Sequence, residues 1–460
     1  MTDNRNDGTS LGPSLLSWKI TREILTFALP IVLGQLGMML LGVMDIYVAS
    51  QHSTLALAAI GVGVAFINPG FVVGLSFLTS LSPLLAQERG KGENLEKYLS
   101  TCVAFTVTVS LFFVLLTSLL PLLVPLFGYD HKLEAHVIAY LRICAFSLPG
   151  AFVFQALKEW LQAQEKTFFA NSLSLLAVGL NLFFNLAFVF GQFGFPRLDV
   201  VGLAWATLLV RTLLGIVMFL YVFWMLKNKK SFLGKIEISF FKSVLKLATP
   251  AALAIFFEVM AFCSVTLIVA KFGADQTAAN NLVLTLASLA FMVPLGLSGA
   301  VGVKVGNSYG EKDEQKVKAY ALTGVLCALA FMFFSGTLFS LFPKELLSLF
   351  TLDEAVLQLG VSYLFWVAIF QLFDGAQVTM AAILRGVGIS KPVSIITFIG
   401  YWILGIPLGA LLAFHFGYTG QGLWICLAFA LAVVALSLAT ITQRFLKNLT
   451  FYETSKVKTS

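Results

Sequence analysis

Charge is scarce in this sequence. Only 12% of its 460 residues are Asp, Glu, Lys or Arg, against about 25% in an ordinary soluble domain. With 58% of the chain hydrophobic, too few charges remain to solvate a soluble surface, and a membrane protein follows. Cysteine is sparse as well. Cys102, Cys144, Cys263, Cys327 and Cys426 all fall inside apolar runs without paired spacing, so neither a disulfide framework nor a thiolate metal site is implied. The four histidines, His52, His131, His136 and His415, sit near the ends of apolar runs with no HExxH or other ligand spacing and read as interfacial. No GK followed by Ser or Thr occurs, and "RGKG" (89 to 92) is only a basic loop with glycines. ATP is therefore excluded as the energy source and an ion gradient is left. GxSxG and a Gly-x-Gly-Asp before an intramembrane Asp are also missing, which argues against an intramembrane hydrolase. No enzyme is expected.

Long apolar runs are what the sequence has. Crossing about 30 Å of hydrocarbon takes roughly 20 apolar residues in a helix. Twelve runs qualify, at 24–50, 55–86, 99–124, 136–157, 170–191, 200–226, 246–271, 276–306, 317–342, 356–384, 391–414 and 420–445. The opening stretch, MTDNRNDGTSLGPSLLSWKI, lacks an apolar core followed by small residues and does not read as a signal peptide. The net charge of +7 is not a nucleic-acid signature here, because basic residues concentrate in the cytoplasmic loops of membrane proteins. With the N-terminus inside, the tails and even-numbered loops hold 24 of the 30 Lys and Arg, and the outer loops hold four: Lys132, Arg197, Lys271 and Lys344. Both termini are expected in the cytoplasm. Arg142 and Arg211 lie in or near spans and count for neither side.

The longest basic connection, LKNKKSFLGKIEISFFKSVLK (226 to 246), falls mid-chain, and the halves on either side match at a separation of about 220. Pro30 corresponds to Pro250, Gly90 to Gly310, Gly202 to Gly422, and LQAQEKTFF (161 to 169) to LRGVGISKP (384 to 392). The expected fold is therefore all-α: twelve transmembrane helices in two six-helix bundles. Six being even, the bundles share one orientation and relate by a pseudo-twofold axis along the membrane normal. The expected divisions are an N-terminal cytoplasmic tail (1–23), a first bundle (24–226), a basic linker (227–245), a second bundle (246–445) and a C-terminal tail (446–460).

Of 23 acidic residues, 20 lie in loops, tails or span ends, while Asp45, Glu258 and Asp374 sit well inside spans. A central Asp costs roughly 2.5 to 3.5 kcal/mol to insert, so such groups face bundle interiors or wet cavities and mark ion paths or proton relays. Asp45 lies roughly 8 Å from the outer end of its span at about 1.5 Å per residue. At similar depth, span five carries Asn181 and Asn185 on one helix face, and span six carries Thr207. A carboxylate, two amides and a hydroxyl suit a hard cation such as Na⁺, or a hydrogen-bond cage for a protonated Asp45. Gln35 is a weaker candidate. In the second bundle Glu258 lies among Phe256, Phe257, Met260 and Phe262, and Asp374 lies between Gln371 and Gln377 on a polar stripe. An acid beside rings and methionine suits a flat organic cation. Pro30 and Pro250, with "NPG" (68 to 70) and "VPLG" (293 to 296), interrupt helix hydrogen bonding and are read as hinges between rocking bundles.

In the stretches LPIVLGQLGMMLLGVMD, LQAQEKTFFANSLSLLAVGLNLFFN, PAALAIFFE and FQLFDGAQVTMAAILRGVG the chain resembles the multidrug and toxic compound extrusion (MATE) family, over nearly its whole length. Acids in spans one, seven and ten resemble the NorM-like bacterial branch. The resemblance implies export of organic cations against Na⁺ or H⁺, with Asp45, Asn181, Asn185 and Thr207 as the first coupling site. It implies Glu258 and Asp374 as second-bundle acids for coupling or drug binding, beside Gln371, Gln377, Met260 and Phe262. The family's LQGxGNTRP-like loop reads LQAQEKTFF here, without its glycines, and LRGVGISKP carries Ile389 and Ser390 where an acidic or amide residue and Thr are common; both departures bear on loop geometry and gating. A monomer in the bacterial inner membrane is expected, with membrane lipid and small organic cations as partners, no nucleic acid, and no cofactor beyond the coupling ion. Two rivals stand beside it. A flippase of lipid-linked precursors would line its cavity with more Arg and Lys, and a non-transporting channel or membrane enzyme would need a constellation the sequence lacks.

Overall fold

In the computed structural model residues 17–226, 231–232 and 234–451 are described; most of both expected tails and the basic residues Arg5, Lys227, Lys229, Lys230, Lys456 and Lys458 lie outside them. The first half runs through α1 (Trp18–His52), α2 (Thr54–Thr79), α3 (Leu81–Gly90), α4 (Leu99–Leu119), α5 (His131–Ala145), α6 (Leu148–Ala163), α7 (Phe168–Phe190) and α8 (Asp199–Met225). The second half runs through α9 (Ile238–Val269), α10 (Ala274–Gly310), α11 (Glu314–Leu341), α12 (Pro343–Ser348), α13 (Glu354–Gly386), α14 (Lys391–Phe398), α15 (Ile406–Phe414) and α16 (Thr419–Asn448). Among the described residues eleven stretches are long and apolar enough to cross a membrane, and the pair α5 and α6, bent by 40°, makes a twelfth if taken as one span. An all-helical architecture is what lipid demands, since backbone groups find no water there.

Several boundaries depart from the sequence reading. Span four is not one run over 136–157: it breaks at Ser147, with Pro149 in the first turn of α6. The Ser147 hydroxyl donates to the Cys144 carbonyl at 2.6 Å and satisfies part of the broken turn. Helix α9 begins at Ile238 rather than 246, because Phe240 and Val244 bury against the first half. Pro30, Pro69, Pro250 and Pro294 lie inside helices that continue through them, since a proline removes one hydrogen bond and flanking turns with their packed neighbours carry the helix on. The interruptions lie elsewhere, at Ser80 between α2 and α3, at Ser147, and in a π-helical turn, Ile399–Gly405, joining α14 to α15.

The halves meet crosswise: α1 packs on α10, and α9 packs on α2. Their closest approach is at the end carrying the basic loops. A Cβ on Gly90 would collide with the Asn307 carbonyl oxygen, and one on Gly310 would collide with that of Gln87. Gln87 and Asn307 hold equivalent places in the two halves, as Gly90 and Gly310 do, so the contact is self-complementary, as at a twofold axis. Only hydrogen fits at either position, and the two helices touch backbone to backbone.

Buried clusters show where the halves separate. At the basic end, Ile24, Phe27 and Ile31 of α1 share a core with Leu297, Val301 and Val305 of α10. At the opposite end one core contains only first-half residues such as Val48, Ile60 and Leu203, and another only second-half residues such as Val265, Val283 and Tyr363. Polar links reinforce the basic end. Tyr320 donates to Glu23 at 2.6 Å, Gln87 to the Gly386 carbonyl at 2.7 Å, and Lys304 to Glu165 at 2.7 Å, each joining one half to the other. The two halves are thus closed together at the basic end.

Candidate functional site

The first-bundle site is assembled by a glycine ridge on α1. A Cβ on Gly34 would collide with the Asn171 side chain, and one on Gly37 would lie 3.0 Å from the Ser174 carbonyl oxygen. Their absence lets α7 run close along α1, and two turns further Asp45 meets Asn181 and Asn185. The Asn185 amide donates to Asp45 Oδ1 at 2.7 Å and the Asn181 amide to the same oxygen at 3.0 Å. Asn185 also donates to Asn181 Oδ1 at 3.1 Å. From α8 the Thr207 hydroxyl lies 3.2 Å from Asp45 Oδ2 and 3.0 Å from the Leu203 carbonyl. All four side chains are buried. The structure therefore brings together the four residues that matching depth selected.

Three donors around two carboxylate oxygens is an arrangement for a charged acceptor. Turning the two amides over would replace the N–H donors with oxygens, giving the oxygen set a hard cation prefers. Protonating Asp45 would instead turn one carboxylate oxygen into a donor. Asp45, Asn181 and Thr207 line a cavity of about 330 Å³ with Phe71, Tyr140 and Arg211, while Asn185 lies behind them. Gln35 does not join it: the side chain is half-buried and lines no part of this cavity.

Sequence reasoning passed over Arg211. Its guanidinium donates to Ser147 Oγ at 3.0 Å and stacks 4.2 Å from the Phe71 ring centroid. It lies within electrostatic reach of Asp45 without forming an ion pair among the described residues. Its position well before the basic linker gave no signal, because only the break at Ser147 turns a hydroxyl toward it.

In the second bundle Glu258 is half-buried and Asp374 buried, and the two are near enough to interact electrostatically. Gln377 lies within hydrogen-bonding reach of Glu258. Gln371 is turned to α11, where its carbonyl oxygen accepts from Ser335 at 2.9 Å. Gln371 Nε2, Asp374 Oδ1 and Gln377 Oε1 are buried with no hydrogen-bond partner in the described residues, so this face of α13 can still bind polar groups. Met260 is half-buried on α9, and Phe262 packs on Phe370 and Tyr401 at ring distances of 5.9 and 6.2 Å. The aromatic neighbours are thus engaged with the bundle's own rings.

A further carboxylate is buried, and the sequence had placed it at a span end. Because α6 continues to Ala163, Glu159 and its neighbour Lys158 are 4% and 3% exposed. Gln155 donates to Glu159 at 2.6 Å. Among the described residues no group of three His, Cys, Asp or Glu converges as for a metal ion.

Comparison with known proteins agrees with this architecture. The MatE family model matches residues 30–187 and again 250–411, one stretch in each half. The chain is 33% identical over 454 residues to "Probable multidrug resistance protein NorM" of Mesorhizobium japonicum, covering 94% of this chain and 96% of that protein. It is 28% identical over 436 residues to "Multidrug resistance protein NorM" of Vibrio cholerae, covering 91% and 94%. Among solved structures it resembles a Vibrio cholerae MATE transporter (TM-score 0.84, 20% identity, 94% of this chain and 98% of that one). It also resembles a eukaryotic MATE transporter (TM-score 0.82, 20% identity, 94% and 99%). On these grounds the chain belongs to the MatE family of multi-pass membrane transporters, and to its NorM-like members.

Proposed function

We infer that this transporter is a secondary active multidrug exporter that moves organic, mostly cationic compounds out of the cell in exchange for Na⁺ or H⁺. The observation that carries the reading is the convergence of Asn181, Asn185 and Thr207 on Asp45 beside a cavity. Relatives named multidrug resistance proteins support the export of drugs. The two bundles, 24–226 and 246–445, are the units that move, and the transporter acts as a monomer surrounded by membrane lipid.

With both termini in the cytoplasm of a bacterial inner membrane, the basic end faces inward and the state described is closed to the cytoplasm. Alternating access then follows. A cation or proton entering from outside neutralises Asp45 and favours the drug-releasing state, while drug binding from inside at Glu258 and Asp374 favours release of the ion. Glu258 and Asp374 take part in coupling or in drug binding, with Gln371, Gln377, Met260 and Phe262 around them. Pro30 and Pro250, each leaving one hydrogen bond unmade inside a continuous helix, are hinges at which those helices bend during the rocking motion. Each elementary charge moved through 100 mV supplies about 2.3 kcal/mol, enough for a gradient of a few tens-fold of an uncharged drug, whereas a monovalent cation exchanged one for one moves no net charge and draws on the ion's concentration gradient alone.

The test is dye efflux from proteoliposomes with a Na⁺ or a proton gradient imposed separately, for the native chain and for Asp45→Asn, Glu258→Gln and Asp374→Asn. One gradient should drive export in the native chain and neither should in Asp45→Asn. Unchanged coupled export in all three variants would overturn the carboxylate mechanism.

A further inference from the structure

One hydroxyl beside the second-bundle acids is left without a bond. Tyr401 is fully buried, and its hydroxyl has no hydrogen-bond partner among the described residues, although buried polar groups are nearly always paired. It stands on the π-helical turn Ile399–Gly405, and such turns are rare and frequently mark functional sites. Two contacts hold the turn against its neighbours. The Trp402 indole donates to the Phe257 carbonyl of α9 at 3.0 Å. Gly400, where a Cβ would collide with Val434, lets the turn press on α16. The Tyr401 ring lies 6.2 Å from that of Phe262, which lies 5.9 Å from that of Phe370. Phe262 follows Glu258 by four residues on α9, and Phe370 precedes Asp374 by four on α13, so the rings sit one turn from the acids on the same helix faces. Tyr401 is within electrostatic reach of both acids. Asp374 Oδ1 is buried without a donor and Tyr401 Oη without an acceptor, so their unmet needs are complementary. The repeat places Tyr401 in a donor's position too. At the separation of 220 that relates Gly202 to Gly422, it matches Asn181, which donates to Asp45.

We propose that Tyr401 is a positioning residue of the second-bundle site, its hydroxyl donating to Asp374 Oδ1 after an exported organic cation has left, so that the carboxylate stays charged for the next one. Closing this bond takes a movement of the Asp374 side chain, since Trp402 and Gly400 fix the turn that carries Tyr401. Two carboxylates side by side disfavour each other's charge, and a hydrogen bond to the charged form of one offsets this. The other titratable groups acting on the pair are Glu258 itself on α9 and Arg385 on α13, and α16 adds none among the described residues. An arriving cation displaces the hydroxyl from Asp374. The proposal rests on the reading of Glu258 and Asp374 as drug-binding acids and adds to it the group that keeps them ready.

Tyr401→Phe tests this, because it keeps the ring against Phe262 and removes only the hydroxyl. The probe is tetraphenylphosphonium, whose charge is the same at every pH, and its equilibrium binding to the purified full chain is measured from about pH 4 to about pH 9, the range over which buried carboxylates titrate. Native binding rises with pH as the acids ionise. In Tyr401→Phe the acids lack their donor and keep their protons to higher pH, so the midpoint of that rise moves up by about one pH unit, a tenfold change in proton affinity. Above the midpoint the variant binds at least as tightly as the native chain, since the cation has no hydroxyl to displace. The upward shift persists in an Asp45→Asn background, where the first-bundle carboxylate no longer titrates. An unmoved midpoint overturns the proposal. So does binding weakened by one factor at every pH, which is the mark of lost packing, and so does a shift that disappears in Asp45→Asn. A native chain that binds no tetraphenylphosphonium, or binds it equally at every pH, strikes the reading of Glu258 and Asp374 as drug-binding acids instead, and the two failures are thereby distinguished.

Discussion

Asp45 holds its position through three donors on two other helices, so its neighbours can be removed one at a time. Asn185→Ala deletes the shortest of the three bonds, 2.7 Å. Interhelical hydrogen bonds in membranes are worth about 1 kcal/mol, so thermal stability should change by no more than a few degrees. The concentration of Na⁺ or H⁺ giving half-maximal export should rise several-fold, and no change in it would remove Asn185 from the site. This cluster was legible in the sequence because depth within a span is counted from the nearest charged loop, and Asp45, Asn181, Asn185 and Thr207 share that depth. Arg211 and Glu159 were not legible. The first depends on where a broken helix turns a serine, and the second on α6 running past the expected end at 157 to Ala163. Neither property is local to the residue itself.

Between α6 and α7 the chain makes a left-handed turn at Glu165, with φ of 63°. At the matching place in the second half stands Gly388, with φ of 86°. A side chain costs about 1 to 2 kcal/mol in that conformation, and glycine would avoid it. The missing glycine that the sequence marked as a departure has a structural reason: the Glu165 carboxylate bridges Arg89 at 3.1 Å and Lys304 at 2.7 Å, one from each half. Glu165→Gln keeps the backbone strain and loses the charge. It should shift the population away from the state closed at the basic end, seen as a longer distance between spin labels at positions 91 and 312. Glu165→Gly should show the same shift with a relaxed turn, and unaltered distances in both would remove the bridge from the closed state's stability. Gly310→Leu is the steric counterpart. Its side chain has no room against the Gln87 carbonyl, and overpacking of this kind costs about 1 to 3 kcal/mol, enough to open the basic end. Labels that stay close in Gly310→Leu would show that the backbone contact does not close this end. Helix ends and breaks were the least legible part of the fold, because packing of α9 on the first half and the π-helical turn at Ile399–Gly405 are tertiary effects.

For the molecule as a whole the twofold relation was readable from four short matches, and it returns as a physical contact where Gly90 and Gly310 meet. Which end is closed was not readable, since both conformations use the same sequence and the same bundles. The two cores that stay separate at the far end, and the shared core at the basic end, show two bundles joined at one end, and the alternating access proposed above requires that this joined end part in the other state. In the proposed mechanism one ion or proton, held at Asp45, is exchanged for the exported molecule. The most direct measurement is the simultaneous flux of ²²Na⁺ or of protons into, and of dye out of, proteoliposomes carrying the full chain. A fixed ratio of ion entering to dye leaving, lost in Asp45→Asn while dye binding persists, is the predicted result. Dye export that continues at the native ion-to-dye ratio in Asp45→Asn would contradict it.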